Sequence, residues 1–102
     1  MTQPCDFTAL ESRRLIGTKV LSPVELLESC IACIEAMNPA VNAIVADCYE
    51  RARREARVAE EAVIRGRELG PLHGLPCAIK DLNRTAGLVT AYGSQIYKNP
   101  RR

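Results

Sequence analysis

The sequence predicts an α/β fold that is incomplete by itself, and three observations support this prediction. Amphipathic helical patterns alternate with short apolar runs in the order helix, helix, strand, helix, strand. The 102 residues suffice for one domain or for part of a larger one. With one Phe and no Trp the core is thin, and two or three strands flanked by helices leave a sheet edge uncovered. We therefore expect an α/β arrangement that is incomplete as a free-standing domain.

The first two helices are predicted from apolar spacing and capping residues. We expect the first over about residues 8–16, with Gly17 as its stop. Ser22 and Glu25 form an S-x-x-E capping box that begins the second helix, and Asn38-Pro39 is expected to end it. The apolar stripe of this second helix consists of Leu26, Leu27, Cys30, Ile31, Ile34 and Met37.

A buried strand and a long third helix are expected next. The apolar run over residues 43–46 indicates the strand. Asp47 and Glu50 have the spacing of a second capping box, which opens a helix to about Arg65 with Gly66 beyond it. The narrow inward face of this helix consists of Ala52, Ala56, Ala59, Ala62 and Val63.

The helical pattern gives way to a loop at residue 70. Residues 70–76 read G-P-L-H-G-L-P, a loop punctuated by two glycines and two prolines. Residues 77–82 follow as a compact apolar strand that ends in charged residues. A weaker apolar run covers residues 88–91, and the polar residues after it reach Arg102.

Composition and charge argue against several classes of protein. The net charge of +2 is too small to imply a nucleic-acid partner. Arginines of the third helix are interleaved with glutamates, which favours a solvated face over a nucleic-acid patch. Apolar stretches are only a handful of residues long, and the first residues lack the pattern of a signal peptide. We expect a cytoplasmic protein with no membrane partner.

The five cysteines do not predict a disulfide framework or a metal site. Their number is odd and their spacing irregular, which is typical of reduced thiols. Cys30 and Cys33 form a C-x-x-C within a helical pattern, but no second pair of cysteines or histidines follows. We interpret both as small residues on the core side of the second helix.

Lys80 is the first candidate for chemistry. Alternation along its strand places it on one face with Ala78 and Leu82. Strands of α/β folds are covered on both faces, and ligands bind beyond their carboxyl ends. Burial favours the neutral amine of a lysine, which can then accept a proton from a nucleophile. Two alternatives are a lysine that pairs with Asp81 at the strand end and a Schiff-base nucleophile.

Residues 70–81, G-P-L-H-G-L-P-C-A-I-K-D, resemble the lysine motif of the amidase signature family. Residues 86–94 are similar to the family's A-G-x-x-T-T-x-G-S, with Ala91 in place of the second Thr. Upstream, the sequence resembles the first long helix of the family and its exit, and then its first strand. The family-like region covers residues 21–94, and these matches lie in the family's order.

The resemblance implies an amidase that hydrolyses carboxylic amide C–N bonds with a Ser–cisSer–Lys triad and no cofactor. Lys80 matches the catalytic lysine, which acts as base to a bridging serine beside the nucleophilic serine. The implied fold has helices packed on a mixed sheet, and residues 1–102 are the N-terminal segment of a single amidase domain. The serines of the chain match neither catalytic serine, so we expect a fragment that is inactive alone: Ser12, Ser22, Ser29 and Ser94.

Alternatives remain open at this point. Within the family, the chain fits the A subunit of a tRNA-dependent amidotransferase, whose partners are the other amidotransferase subunits. An amidase implies a small-molecule amide substrate and no nucleic acid, with a homodimer as an alternative assembly. Outside the family, a small helical interaction module fits the Arg/Glu-rich third helix. His73 is expected to form a loop hydrogen bond rather than serve as a base, and Cys77 is expected in the core.

Overall fold

A computed structural model describes residues 3–81, 83, 85–88 and 90 of the 102-residue chain. Within these ranges a short 3-10 helix precedes three α-helices, numbered here in chain order. Their bounds are Pro4–Asp6 for the 3-10 helix, Ala9–Gly17 for α1, Pro23–Val41 for α2 and Tyr49–Ile64 for α3. Residues 89 and 91 of the expected run over 88–91, and the polar residues after it, Ser94 included, lie outside the described residues. None of the helices formed by the described residues is long and apolar enough to cross a membrane.

The predicted α/β fold is wrong for the part of the chain that the structure describes, which is helical and contains no strand. Residues 43–46, the first expected strand, are irregular, and so are residues 77–80 of the second, expected over 77–82; residue 81 lies in a turn and residue 82 lies outside the described residues. A β-strand requires ladder hydrogen bonds to a neighbouring strand. The two runs line one cavity and do not pair with each other. The apolar residues of these runs predict burial, but a run becomes a strand only when a neighbouring strand pairs with it.

The helix start predicted from the Ser22–Glu25 capping box is confirmed for α2, and α1, predicted from apolar spacing, begins after a capping residue as well. The hydroxyl of Thr8 accepts a hydrogen bond from the backbone N–H of Glu11 at 3.1 Å. The Ser22 hydroxyl accepts from the Val24 N–H at 3.0 Å, and the Ser22 N–H donates to Glu25 Oε1 at 3.1 Å. These bonds satisfy N–H groups that have no partner within the helix.

The predicted end of α2 at Asn38-Pro39 is wrong, because the helix continues through Pro39 to Val41. A proline so close to a helix end removes one backbone hydrogen bond and leaves few turns to disturb. Asn42 then adopts a left-handed conformation (φ 49°) that ends the helix. The Asn38 side chain also bonds both backbone groups of Ile44, at 2.8 and 3.0 Å, and so directs the chain away from α2.

The other helix ends divide between confirmed and wrong predictions. The capping box at Asp47 is wrong, because α3 begins at Tyr49 and its N-cap, Cys48, makes no side-chain capping bond. Gly17 belongs to α1, and the left-handed residue beyond that helix is Lys19 (φ 64°). Gly66 lies beyond α3 with a left-handed φ of 68°, as predicted.

The core lies where α1, the first half of α2 and the end of α3 meet. Ile16 is fully buried, and Leu21, Leu26 and Val63 form one cluster with it. Phe7, Leu15, Cys30, Leu69 and Leu75 pack against this cluster. The alanine face predicted for α3 is half-buried, as expected, and its arginines are mostly exposed. Burial fades along α2, where Met37 is 58% exposed.

Candidate functional site

An apolar cavity of about 1270 Å³ lies among the described residues. It lies between α2 and α3, is also lined by residues 43–48 and 74–81, and opens to solvent. Most of the residues that line it are apolar, and Lys80 and Asp81 are among the charged ones. The cavity therefore brings together both expected strands, the alanine face of α3 and the candidate lysine.

Residues 70–76, here called the motif loop, are held by two hydrogen bonds from distant elements. Arg13 Nε on α1 donates to the carbonyl oxygen of Gly70 at 3.0 Å. His73 Nε2 lies 2.9 Å from the carbonyl oxygen of Ala59 on α3. A carbonyl only accepts, so this nitrogen carries the proton and the imidazole links loop to helix. The predicted hydrogen-bonding role of His73 is thus confirmed.

Gly74 is required where the motif loop passes over the core. Its φ is +82°, a region that residues with a side chain rarely adopt. A Cβ added there would lie 3.0 Å from Pro23 Cγ and 3.1 Å from Ile16 Cδ1. The second glycine of the motif therefore has two physical reasons, backbone conformation and close approach to α1 and α2.

Lys80 follows the motif loop at the beginning of a turn. The carbonyl oxygen of Lys80 accepts a hydrogen bond from the Asn83 N–H at 3.0 Å. The hydroxyl of Thr90, which is buried, donates to the carbonyl oxygen of Asn83 at 3.4 Å. Beyond the turn, Arg51 Nη1 of α3 donates to the Ala86 carbonyl oxygen at 3.0 Å. Two hydrogen bonds within this segment and one from α3 thus define the path of the chain after the lysine.

The burial expected for Lys80 is not observed, because its side chain is exposed at the cavity wall. The expectation assumed a strand covered on both faces, and neither face of residues 77–80 is covered by the described residues. Cys77 is exposed too, so its predicted place in the core is wrong. The neighbouring Ile79 is 56% exposed. The lysine and its apolar neighbours share one uncovered surface.

The described serines occupy structural positions, as the sequence predicts. Ser22 caps α2, Ser12 is buried in α1, and Ser29 of α2 accepts a hydrogen bond from the Cys5 N–H at 3.0 Å. Among the residues that the structure describes, no serine lines the apolar cavity. Lys80 therefore faces a space in which none of these hydroxyls is placed as a nucleophile.

The C-x-x-C of α2 fits the prediction only in part. Cys30 is half-buried against the core, but Cys33 is exposed. Within the described ranges, no group of three or more metal-ligating side chains could hold a metal ion. Burial raises the pKa of the Cys30 thiol, and neighbouring Cys5 and Cys33 raise it further.

One ion pair joins the two helices beside the cavity. Arg53 of α3 forms two hydrogen bonds with the Glu28 carboxylate of α2, at 2.7 and 3.1 Å. The bond from Arg53 lowers the pKa of Glu28 below its ordinary value, although burial acts in the opposite direction. Other arginines of α3 pair along the helix, as Arg51 does with Glu55. This pairing agrees with the predicted solvated face.

Arg13 and Ala59 are the contributors that sequence reasoning missed. Each supports the motif loop from far along the chain, through a guanidinium and a backbone carbonyl. A surface arginine on an amphipathic helix carries no local signal of such a contact. Only the two glycines and the histidine of the loop pointed to such contacts. They indicate an irregular backbone whose polar groups need hydrogen-bond partners from other elements.

Comparisons with known proteins agree on the family. The sequence model of the Amidase family matches residues 25–102. An acylamidase of Rhodococcus erythropolis is 40% identical over 86 residues, which are 84% of this chain and 18% of the acylamidase. The A subunit of the glutamyl-tRNA(Gln) amidotransferase of Chloroflexus aurantiacus is 38% identical over 96 residues, 94% of this chain and 20% of that protein. The corresponding A subunit of Brucella ovis is 34% identical over the same length, 94% of this chain and 19% of that protein.

No solved structure matches the chain significantly. The chain spans about a fifth of the length of these curated relatives. The match to the family model covers most of the chain and includes both the motif loop and Lys80. The resemblance inferred from residues 70–81 is therefore confirmed, and the chain belongs to the amidase signature family.

Proposed function

We propose that this chain is a segment of an amidase that hydrolyses carboxylic amide C–N bonds, and that Lys80 is its catalytic base. The observation that carries the proposal is the position of Lys80. It lies at the wall of the apolar cavity, directly after a loop tied to α1 and α3. The family match includes this loop and this lysine.

The apolar cavity supports the proposal through its composition and exposure. Apolar surface of this size, built entirely from the family-like region, is suited to burial against further parts of an amidase domain. Such burial would remove water from the Lys80 amine and favour its neutral form. The exposed lysine of this segment and a basic lysine in a whole domain are therefore compatible.

The proposed chemistry uses three groups, of which this chain supplies one. Lys80 Nζ, as a neutral amine, accepts the proton of a bridging serine. The bridging serine in turn takes the proton of the nucleophilic serine, whose hydroxyl oxygen attacks the amide carbon. Backbone N–H groups stabilise the oxyanion. The proton then passes to the leaving nitrogen, and water hydrolyses the acyl-serine. Arg13, His73 and Gly74 act earlier, by positioning the segment that carries Lys80.

A chimera tests the proposal most directly. The matching 86-residue stretch of the Rhodococcus acylamidase is replaced by this chain's residues, and hydrolysis of an anilide is measured. We expect an active chimera in which Lys80→Ala lowers kcat by about 10²–10⁴-fold, the usual contribution of a general base. The far-UV circular dichroism spectrum of the Lys80→Ala chimera should match that of the unmodified chimera, so that the loss of activity reports on the chemistry and not on folding.

Lys19→Asn is the matched control, since it removes another exposed lysine while keeping a residue that tolerates the left-handed φ of 64°. Its activity should equal that of the unmodified chimera. A folded chimera that is inactive, or one that keeps its activity with Lys80→Ala, contradicts the proposal. The purified 102-residue chain and its Lys80→Ala variant should both show no turnover of the same anilide.

A second candidate is the A subunit of a tRNA-dependent amidotransferase. The match to such subunits covers 94% of this chain, against 84% for the acylamidase. The same exchange into the Chloroflexus protein separates the two candidates. Transamidation restored there with partner subunits, together with an inactive acylamidase chimera, favours the amidotransferase.

A further inference from the structure

Three cysteines meet where the 3-10 helix lies on α2. The backbone N–H of Cys5 donates to the hydroxyl of Ser29 at 3.0 Å, which places Cys5 beside the middle of α2. Cys33 follows Ser29 by one helical turn and therefore lies on the same face. The Cys33 Sγ lies 3.8 Å from the sulfur of Met37, one turn further on. A sulfur-rich strip thus runs along α2 beneath the N-terminal segment.

The C-x-x-C pair cannot close on itself inside this helix. Residues three apart on an α-helix have Cβ atoms about 5–6 Å apart, whereas a disulfide needs about 3.5–4.5 Å. Cys30 and Cys33 both lie within α2, far from its ends. Oxidation of this pair alone would have to break the helix. A partner from another element avoids this cost, and Cys5 is the cysteine that the fold supplies.

Cys5 and Cys33 are also the accessible members of the cluster. Cys33 is exposed and Cys5 is half-buried on the short 3-10 helix, whereas Cys30 packs against the core. The fold places Cys5 and Cys33 close together, because the Cys5 N–H bonds the Ser29 hydroxyl and Cys33 lies one helical turn beyond Ser29 on the same face of α2.

We propose that Cys5 and Cys33 form a site of reversible oxidation that a small-molecule disulfide, such as glutathione disulfide, converts to an intramolecular disulfide. The Cys33 thiolate attacks one sulfur of the reagent, and one glutathione thiolate leaves. The Cys5 thiolate then attacks the Cys33 sulfur of the mixed disulfide and expels the second glutathione. Two protein thiols lose two electrons and two protons, and glutathione disulfide gains them as two molecules of glutathione.

The cross-link would fasten the N-terminal segment to α2. The contacts that hold this segment there include the Cys5–Ser29 hydrogen bond and the packing of Phe7 against the core. Joining residues 5 and 33 closes a loop of about thirty residues and restricts the unfolded chain. We expect the folding equilibrium to shift toward the folded state by about two orders of magnitude.

The test measures the effective concentration of the thiol pair in glutathione redox buffers. The full 102-residue chain is equilibrated in native buffer and in concentrated urea, quenched with acid and mapped by mass spectrometry. In native buffer the Cys5–Cys33 disulfide should form at an effective concentration at least about tenfold above that in urea, since folding brings the sulfurs together. Equal values in the two conditions overturn the proposal.

Two variants identify the partner of Cys5. Cys30→Ser keeps both proposed cysteines and should keep the cross-link and its effective concentration. Cys33→Ser should lose it and leave the mixed disulfide with glutathione as the oxidised product. A native cross-link from Cys5 mainly to Cys30, Cys48 or Cys77, or one between two chains, overturns the assignment.

Discussion

The packed core and the apolar cavity use similar side chains in opposite ways. In the core, Ile16 is fully buried and Leu26 is 3% exposed, because α1, α2 and α3 cover each other. At the cavity, Val45 is 61% and Ile79 56% exposed, although both lie in runs as apolar as any in the chain. The contrast shows that an apolar run is buried only where other elements cover it. Of these two regions, only the core has such cover from the described residues.

The motif loop joins the two regions. Its first part rests on the core through Gly74 and Leu75, and its continuation reaches the cavity with Lys80. A loop packed on the core thus carries the uncovered segment that contains the candidate lysine. This arrangement suits a catalytic residue, because a base must be held in place before its partners arrive.

The largest expected effect separates the two regions by a single truncation. Ile16→Ala should lower the free energy of unfolding by about 3–4 kcal/mol, because it leaves a cavity in the core. Ile79→Ala, at the uncovered wall, should cost less than about 1 kcal/mol. Urea unfolding followed by circular dichroism measures both. Similar costs for the two variants would remove the distinction between packed and unpacked regions.

A glycine pair tests whether the motif loop is pressed onto the core. Gly74→Ala should cost about 2–3 kcal/mol, because the new Cβ combines a φ of +82° with contacts of 3.0 and 3.1 Å. Gly66→Ala should cost about 1 kcal/mol, since its φ of +68° meets open space. The same unfolding measurement gives the difference. If Gly66→Ala costs as much as Gly74→Ala, backbone conformation alone accounts for the motif glycine.

Helix N-caps offer a third contrast between the regions. Ser22→Ala should lower the free energy of unfolding by about 1 kcal/mol, because α2 loses its capping hydrogen bond. At the cavity, the N-cap of α3 is Cys48, which makes no side-chain capping bond, so Cys48→Asp should raise stability by about 0.5–1 kcal/mol. Ser22→Asp, which keeps a capping oxygen, is the control. A loss of stability on capping α3 would show that Cys48 has packing that the cap disturbs.

The smallest expected effect concerns the Glu28–Arg53 pair beside the cavity. Arg53 lowers the pKa of Glu28 in the folded state, so the pair stabilises the fold above the unfolded-state value of 4.5. That contribution is lost as pH falls below 4.5 and through the lowered folded-state pKa. Glu28→Gln should therefore lose less stability between pH 7 and pH 3 than the wild type does.

The urea midpoints at the two pH values give this difference directly. Glu68→Gln removes an exposed carboxylate elsewhere and serves as the control. An unchanged pH dependence in Glu28→Gln would mean that the pair contributes nothing measurable, as many exposed pairs do.

Local chemistry made part of the fold predictable. Ser22 and Glu25 predict a helix start because their hydrogen bonds form within one turn. Gly66 predicts a helix end because glycine readily adopts the left-handed backbone conformation that ends a helix. The failures at Pro39 and Asp47 have the opposite origin. Whether a helix tolerates a terminal proline, or uses a nearby carboxylate as its cap, depends on how the adjoining chain is held, as Asn38 and Ile44 show.

The sequence by itself determined the family, the three helical segments and the candidate lysine, because residue identity and spacing carry all three. Only the tertiary structure decided that residues 77–80 form no strand within the described chain and that Lys80 is exposed. It also brought Arg13 and Ala59 to the motif loop, and Cys5 to Ser29 of α2. The reason is physical: strand pairing, burial and contacts between distant residues depend on the whole surroundings of a segment, which its own residues do not encode.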